Sequence, residues 1–246
     1  MSKPRFRSWF ALLLPLMVLV TLITWIELLE PVLTYFNHND APAIYYRDTF
    51  ANLVFWHMLI VFLAIGLATI VALLCGIFVT RDFGRDFLPL ARALANLGQT
   101  FPPVAVLALA IPSLGFGLKP TLVALFLYGL LPIFENTVTG LQQTPKSILE
   151  AAKGMGMSPL QQLRKVELPL ALPLIISGIR TSMIISIGTA TIGSTVASKG
   201  LGEVIIAGLL TDNMAFILQG GVIVALIAVI SDQALLKIEN RLTLKT

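Results

Sequence analysis

The stretch 53–79 runs for a full bilayer's width without one Asp, Glu, Lys or Arg. A helix needs about 20 mostly apolar residues to cross the hydrocarbon core, and this stretch exceeds that. Five more runs are long and mostly apolar, each with a single charged residue: 9–29, 88–111, 121–141, 170–194 and 215–236. The whole chain is 57% apolar and 12% charged, with a mean hydropathy of +0.88. Soluble domains are about 25% charged, and no soluble core of 246 residues hides this much apolar surface. The expected fold is therefore all-α and polytopic, with about six transmembrane helices and a lipid bilayer as the main solvent.

Charge decides the orientation. Six spans put both termini on one side. With the N-terminus inside, the inner segments carry Lys3, Arg5, Arg7, Arg81, Arg85, Arg92, Lys146, Lys153, Arg164, Lys165, Lys237, Arg241 and Lys245. The outer ones hold only Arg47, Lys119 and Lys199, and Arg180 lies within the fifth span. That asymmetry obeys the positive-inside rule. Glu30, Asp40, Asp48, Glu203 and Asp212 fall outside. The net charge of +4 then reflects cytoplasmic loops, and no nucleic-acid partner is expected. Cys75 stands alone in an apolar run, and the only histidines are His38 and His57, so neither a disulfide, a metal site nor a cofactor is expected. The first run follows basic residues as a signal peptide would. It is too long for a signal core and no small-residue cleavage site follows, so it reads as a retained span. The organisation expected is 1–49 for this span and an outer loop, 50–236 for a core, and 237–246 for a cytoplasmic tail.

Small residues recur every four positions in two spans: Ala64, Ala68, Ala72 and Gly76, then Gly178, Ser182, Ser186, Ala190 and Ser194. Such rows let helices approach closely, either within the chain or, for the fifth span, at a subunit interface or pathway wall. Thr181, Thr189, Thr191 and Thr195 add hydroxyls that either bond back to the preceding turn or face a wet cavity. Ser182, Ser186 and Thr189 are therefore candidates for a substrate pathway. In the third span, Phe101-Pro102-Pro103 removes two backbone donors. Polar residues beside such a break often mark a transport site, which makes Gln99 and Thr100 candidates too, against a plain packing kink. Glu135 and Arg180 sit within spans four and five, where a charge pairs, faces water or snorkels. Either the two pair, or Arg180 snorkels to the inner surface.

Between spans four and five lies the longest inner interruption, from about Gln142 to Leu168. Thr144 is placed to cap a helix that begins at Pro145, with Ile148, Ala152 and Met155 on one face and Gly154-Met155-Gly156 to end it. Ser158, Pro159 and Gln161 form a capping box for a second helix, with Leu160, Leu163 and Val166 as its apolar stripe. Leu168-Pro169 is expected to end it at the membrane. Two capped helices around a glycine make a stiff hairpin at 144–169, and a rigid amphipathic element outside the membrane suits docking to another protein.

Glu150-Ala151-Ala152, Gly156 and Val166-Glu167-Leu168-Pro169, at this spacing, resemble the EAA loop of binding-protein-dependent ABC importer permeases, with Val166 where Ile is usual. The resemblance implies a type I ABC importer transmembrane domain whose coupling residues are Glu150, Ala151, Ala152, Gly156, Leu168 and Pro169. It also implies partners: an ABC ATPase subunit dimer gripping the loop, a second permease subunit, identical or homologous, and an extracytoplasmic solute-binding protein. The chain has no Gly-x-x-x-x-Gly-Lys segment followed by Ser or Thr, so ATP hydrolysis is expected in the partner and not here. Gly98–Pro103, Leu127–Pro132 and Gly200-Leu201-Gly202 are similar to the branch importing glycine betaine, carnitine and choline. A methionine or sulfonate branch, or a secondary transporter, are the alternatives. A quaternary ammonium would suggest an aromatic cage, but Phe101, Phe116 and Tyr128 read better as core packing, which leaves selectivity to the binding protein.

Overall fold

The computed structural model describes residues 5–37 and 41–243, with side chains from residue 12 onward. His38, Asp40, Lys3 and Lys245, which entered the charge reading above, lie outside the described residues, as do the side chains of Arg5 and Arg7. Among the described residues the regular structure is helical throughout. In order these are α1 (Arg5–Thr24), a 3₁₀ turn (Ile26–Leu29), α2 (Glu30–Tyr35), α3 (Phe50–Val79), α4 (Leu88–Thr100), α5 (Pro103–Leu114), α6 (Leu118–Gln142), α7 (Lys146–Gly154), α8 (Pro159–Gln162), a π turn (Leu163–Glu167), α9 (Leu168–Thr189), a 3₁₀ segment (Ala190–Val196), α10 (Gly202–Leu210) and α11 (Met214–Thr243).

Four helical stretches are long and apolar enough to cross a membrane: Phe50–Val79, Leu118–Gln142, Pro159–Val196 and Met214–Thr243. Two bent pairs bring the number to six if each is one span. The first expected span is one of these pairs and not a single rod. Trp25 leaves helical geometry at φ −133° and ψ 44°, and the chain turns by 96° into the 3₁₀ turn and α2. The third span breaks where the sequence indicated, with Phe101 and Pro102 extended.

The residues pack as two compact units whose segments interleave along the chain. One takes the chain up to Ala64, Pro102–Leu125 and Met183–Gln233; the other takes Ile65–Phe101, Phe126–Ser182 and the chain from Ala234. In the first unit, two amide side chains of α11 and its approach hold the segment before α3. Asn213 donates to the Pro42 carbonyl at 2.9 Å. Gln219 donates to the Ala43 carbonyl at 2.7 Å and accepts from the Tyr45 amide at 3.2 Å. Leu33, Ala43, Ile44 and Ala215 pack beneath these bonds. Buried His57 meets the Ile187 carbonyl at 3.0 Å. At the start of α3, Asp48 pairs with Lys199 at 2.7 Å and accepts from the Asn52 amide. These contacts hold the Asp48 carboxyl below its usual value, the Lys199 bond contributing most.

In the second unit the core cluster is Leu141, Ala171 and Ile175, with Leu73, Ile77, Leu163, Leu168 and Ile179 against it. The small-residue rows resolve toward intrachain packing. Ala64, Ala68 and Ala72 are buried, as are Gly178, Ser182, Ser186 and Ala190. That face of the fifth span is covered by the chain itself, so it is not available as a subunit interface. The short helix α10 had no counterpart among the expected spans; at nine residues it is too short to show as a span.

Candidate coupling hairpin and the broken helix

The hairpin at 144–169 exists as two short helices with a tight reversal. α7 ends in a Schellman arrangement: the Met157 amide donates to the Ala152 carbonyl at 3.1 Å and the Gly156 amide to the Lys153 carbonyl at 2.9 Å. This closure requires a left-handed residue at the turn, and Gly156 has φ +77°. The capping box at the start of α8 is complete, with Ser158 Oγ accepting from the Gln161 amide and Gln161 Oε1 accepting from the Ser158 amide at 2.8 Å.

Two expectations for the hairpin need correction. Thr144 does not cap α7. The helix starts at Lys146, with Pro145 in the cap position and its carbonyl accepting from the Ile148 and Leu149 amides. Thr144 is buried and its hydroxyl has no partner. Nor does Leu168-Pro169 end the second helix. The π turn at Leu163–Glu167 carries it directly into α9. Proline lacks an amide hydrogen and crowds the preceding turn, and the wider turn just before Pro169 accommodates both. The second arm and the fifth span are thus one continuous stretch, Pro159–Val196.

The hairpin's root is fixed by charge as well as by packing. Arg81, just past α3, donates to both oxygens of Glu167 at 2.9 and 2.5 Å. Glu167 is buried at 5% exposure, and its carboxylate holds the Arg81 guanidinium above its ordinary pKa. Leu163 and Leu168 pack on the cluster described above; Pro169 is exposed. Of the other expected coupling residues, Ala152 is buried, while Glu150, Ala151 and Gly156 face outward. Of the α7 face shared by Ile148, Ala152 and Met155, only Ala152 is buried. Ile148, Met155 and Leu160 are 41%, 71% and 54% exposed. Three large apolar side chains thus stand uncovered on an otherwise polar hairpin.

At the broken helix, polar side chains satisfy the backbone that the prolines strand. Pro132 in α6 offers no amide to the Tyr128 carbonyl four residues earlier; Gln99 Nε2 donates to that carbonyl at 2.8 Å. In return the Tyr128 hydroxyl donates to the Phe101 carbonyl at the break. Gly98 allows this approach, since a Cβ there would stand 2.8 Å from the Leu127 carbonyl oxygen. Gln99 is accordingly half-buried and engaged, while Thr100 is exposed with its hydroxyl on the Asn96 carbonyl. Phe101 and Phe116 are exposed, against the expectation of core packing.

The hydroxyls of the fifth span divide. Thr181, Thr191 and Thr195 bond back to carbonyls three or four residues earlier. Ser182 donates to the Gly129 carbonyl at 2.7 Å, Ser186 is buried without a partner, and Thr189 is half-exposed. Glu135 and Arg180 do not pair with each other. Arg92 donates to Glu135 at 2.9 Å, and Arg180 lies 3.3 Å from Glu239 of α11. Sequence reading missed both partners, and it missed Arg81 with Glu167, because each pair spans more than forty residues of chain.

Residues 72–243 match the family described as binding-protein-dependent transport system inner membrane component. The choline transport system permease protein OpuBB of Bacillus subtilis is 42% identical over 187 residues, covering 76% of this chain and 85% of that protein. The glycine betaine/carnitine/choline transport system permease protein OpuCB of the same organism is 42% identical over 217 residues, covering 88% and 96%. The osmoprotectant import permease protein OsmY of Salmonella typhimurium is 40% identical over 187 residues, covering 76% and 79%. A chain of the MetNI methionine ABC transporter, solved in inward facing conformations, superimposes with a TM-score of 0.69 at 22% identity, covering 78% of this chain and 95% of that one. The last shows the fold, that of a type I ABC importer permease. With its hairpin, its helical core and most of its length matched, the chain belongs to the binding-protein-dependent transport system inner membrane components.

Proposed function

We propose that this chain is the membrane-spanning permease subunit of an ATP-driven importer for a quaternary-amine osmolyte such as glycine betaine, choline or carnitine. The observation that carries it is the hairpin: rooted through Arg81–Glu167, shaped by the Gly156 closure, and presenting Glu150, Ala151 and an uncovered apolar face at Ile148, Met155 and Leu160. The solutes for which relatives about 40% identical over most of their length are named support the solute class. The excess of Lys and Arg in the segments around the hairpin supports a cytoplasmic hairpin and cytoplasmic termini.

In this reading an ABC ATPase dimer grips the hairpins of two permease subunits. Its closure on ATP moves each hairpin as a rigid body and, through the unbroken helix from Pro159 to Val196, shifts the spans behind it. The pathway then opens toward an extracytoplasmic solute-binding protein, and hydrolysis resets it. Thr100 and Thr189, with exposed or half-exposed side chains, are the pathway candidates. Gln99 and Ser182 tie neighbouring helices together, while Ser186 is buried without a partner.

Uptake of labelled glycine betaine, choline and carnitine by cells expressing this permease with its ATPase and binding protein tests the reading. Uptake of at least one is expected, dependent on ATP. Failure with all three, alongside uptake of methionine or a sulfonate, would move the chain to another importer branch; ATP-independent uptake would make it a secondary transporter.

A further inference from the structure

α4 packs by one side and leaves two others open. Ala95 and Gly98 are buried, and Gly98 meets the Leu127 backbone of α6. Leu90, Leu94 and Leu97 recur at helical spacing and are exposed, a stripe suited to lipid. Arg92, Asn96 and Thr100 form a second row, four residues apart. At about 100° per residue the middle of this row lies roughly a third of a turn from the leucines. Asn96 and Thr100 are exposed and Arg92 is half-buried. The row climbs about 12 Å, at 1.5 Å per residue, from the first turns of α4 to the break at Phe101. Hydrocarbon offers polar groups no partners, so this row borders water.

At the foot of the row Arg92 meets Glu135 of α6, and both belong to the second unit. The pair stays open: 42% of the Arg92 side chain and 32% of the Glu135 side chain are accessible. Arg92 donates through Nε alone, at 2.9 and 3.2 Å to the two carboxylate oxygens. Among the described residues its Nη1 and Nη2 groups make no hydrogen bond. A guanidinium presents its donors as a fork that fits a carboxylate, and the end of this fork is not taken by the protein. A free donor edge and a negative charge thus stand side by side. They are the complement of a carboxylate and a cation joined in one small molecule.

We infer that the Arg92–Glu135 pair is a binding site for a zwitterionic quaternary amine within the permease itself. The solute's carboxylate accepts from Arg92 Nη1 and Nη2, and its quaternary ammonium lies against Glu135. A quaternary nitrogen has no N–H to donate, so charge or an aromatic face has to hold it; here the Glu135 carboxylate supplies the charge. The protein pair does not break, because the solute uses the edge that Glu135 leaves. Glycine betaine and carnitine carry both charges, whereas choline carries only the cation, so the site favours the first two. This site rests on the quaternary-amine reading above and adds the residues that meet the solute.

The full chain is placed in nanodiscs of phosphatidylglycerol, whose headgroup carries no quaternary amine. It is treated with phenylglyoxal, which reacts with accessible guanidinium groups, and the modification of each arginine is read by mass spectrometry. Glycine betaine at millimolar concentration is expected to protect Arg92 several-fold, while choline or acetate at the same concentration leaves it unchanged. Arg85, exposed and 3.6 Å from Asp82, should keep its reactivity throughout. Glu135→Gln should lose the protection and Glu135→Asp should retain most of it. The site is overturned if glycine betaine gives no protection, if choline or acetate alone protects as well, if Arg85 is protected equally, or if a folded Glu135→Gln variant keeps the effect. Uptake by the assembled importer, measured as above, keeps the two readings apart. Uptake without protection sinks this site and leaves the permease reading standing; protection without uptake of any quaternary amine sinks the transport reading alone.

Discussion

Arg81 closes on Glu167 with two nitrogens, at 2.9 and 2.5 Å, across 86 residues of chain. Glu167 keeps 7% of its side-chain surface exposed and Arg81 23%, so the pair is sheltered but not sealed. Removing one partner leaves the other's charge with little water. Arg81→Met and Glu167→Met are each expected to cost about 2–3 kcal/mol, below the full range for breaking a buried pair because Arg81 retains some solvent. The double variant Arg81→Met with Glu167→Met should recover part of that loss. Thermal melting of the four proteins in detergent, read as a double-mutant cycle, measures the coupling; additive losses would show that the pair contributes nothing.

Gly156 and Glu150 separate shape from contact. Gly156→Ala forces a side chain into φ +77°, at a cost of about 1–2 kcal/mol, and should lower both melting temperature and solute uptake. Glu150 is exposed with no ion pair among the described residues, so Glu150→Arg should leave the melt unchanged while abolishing uptake and releasing ATP hydrolysis from it. Normal uptake in Glu150→Arg would remove Glu150 from the coupling surface.

Two serines one turn apart should respond oppositely. Ser182→Ala loses the 2.7 Å bond to Gly129 and should destabilise by about 1 kcal/mol. Ser186→Ala deletes a buried hydroxyl that has no partner and should be neutral or mildly stabilising. Equal losses at both positions, in the same melting assay, would contradict this assignment.

Tyr128→Phe strands the Phe101 carbonyl beside the break, and Gln99→Leu strands the Tyr128 carbonyl. Each change is expected to cost about 1–3 kcal/mol. Hydrogen exchange at residues 99–106 should rise several-fold in both variants relative to α11; unchanged exchange would mean that the break is held by other contacts.

The Asp48–Lys199 pair sets a pH dependence. The folded carboxyl titrates below its unfolded value, chiefly through Lys199. The unfolded state therefore binds the proton first as pH falls, and the pair's stabilisation is complete above the unfolded value and lost as pH drops through the folded one. Lys199→Met should melt lower than the parent at neutral pH, and the gap should narrow progressively as pH falls below the ordinary aspartate value of about 3.9. A gap constant across that range would assign the difference to packing.

The hairpin was legible because caps are local. Ser158 and Gln161 find each other three residues apart, and Gly156 supplies the one backbone conformation its closure demands. Thr144 misled because capping depends on where the helix starts, and Pro145 moved that start by one residue. Pro169 misled because a proline's effect depends on whether the preceding turn can widen, which the π turn at Leu163–Glu167 does.

Run length and hydropathy determined by themselves that this chain is a helical membrane protein and where its third expected span breaks, because burying backbone in lipid admits few solutions. Tertiary structure alone decided the partners of the charges. Local sequence offered Glu135 and Arg180 to each other, but helix packing brought Arg92 to one and Glu239 to the other. An ion pair is chosen by distance in space, and no periodicity along the chain encodes it.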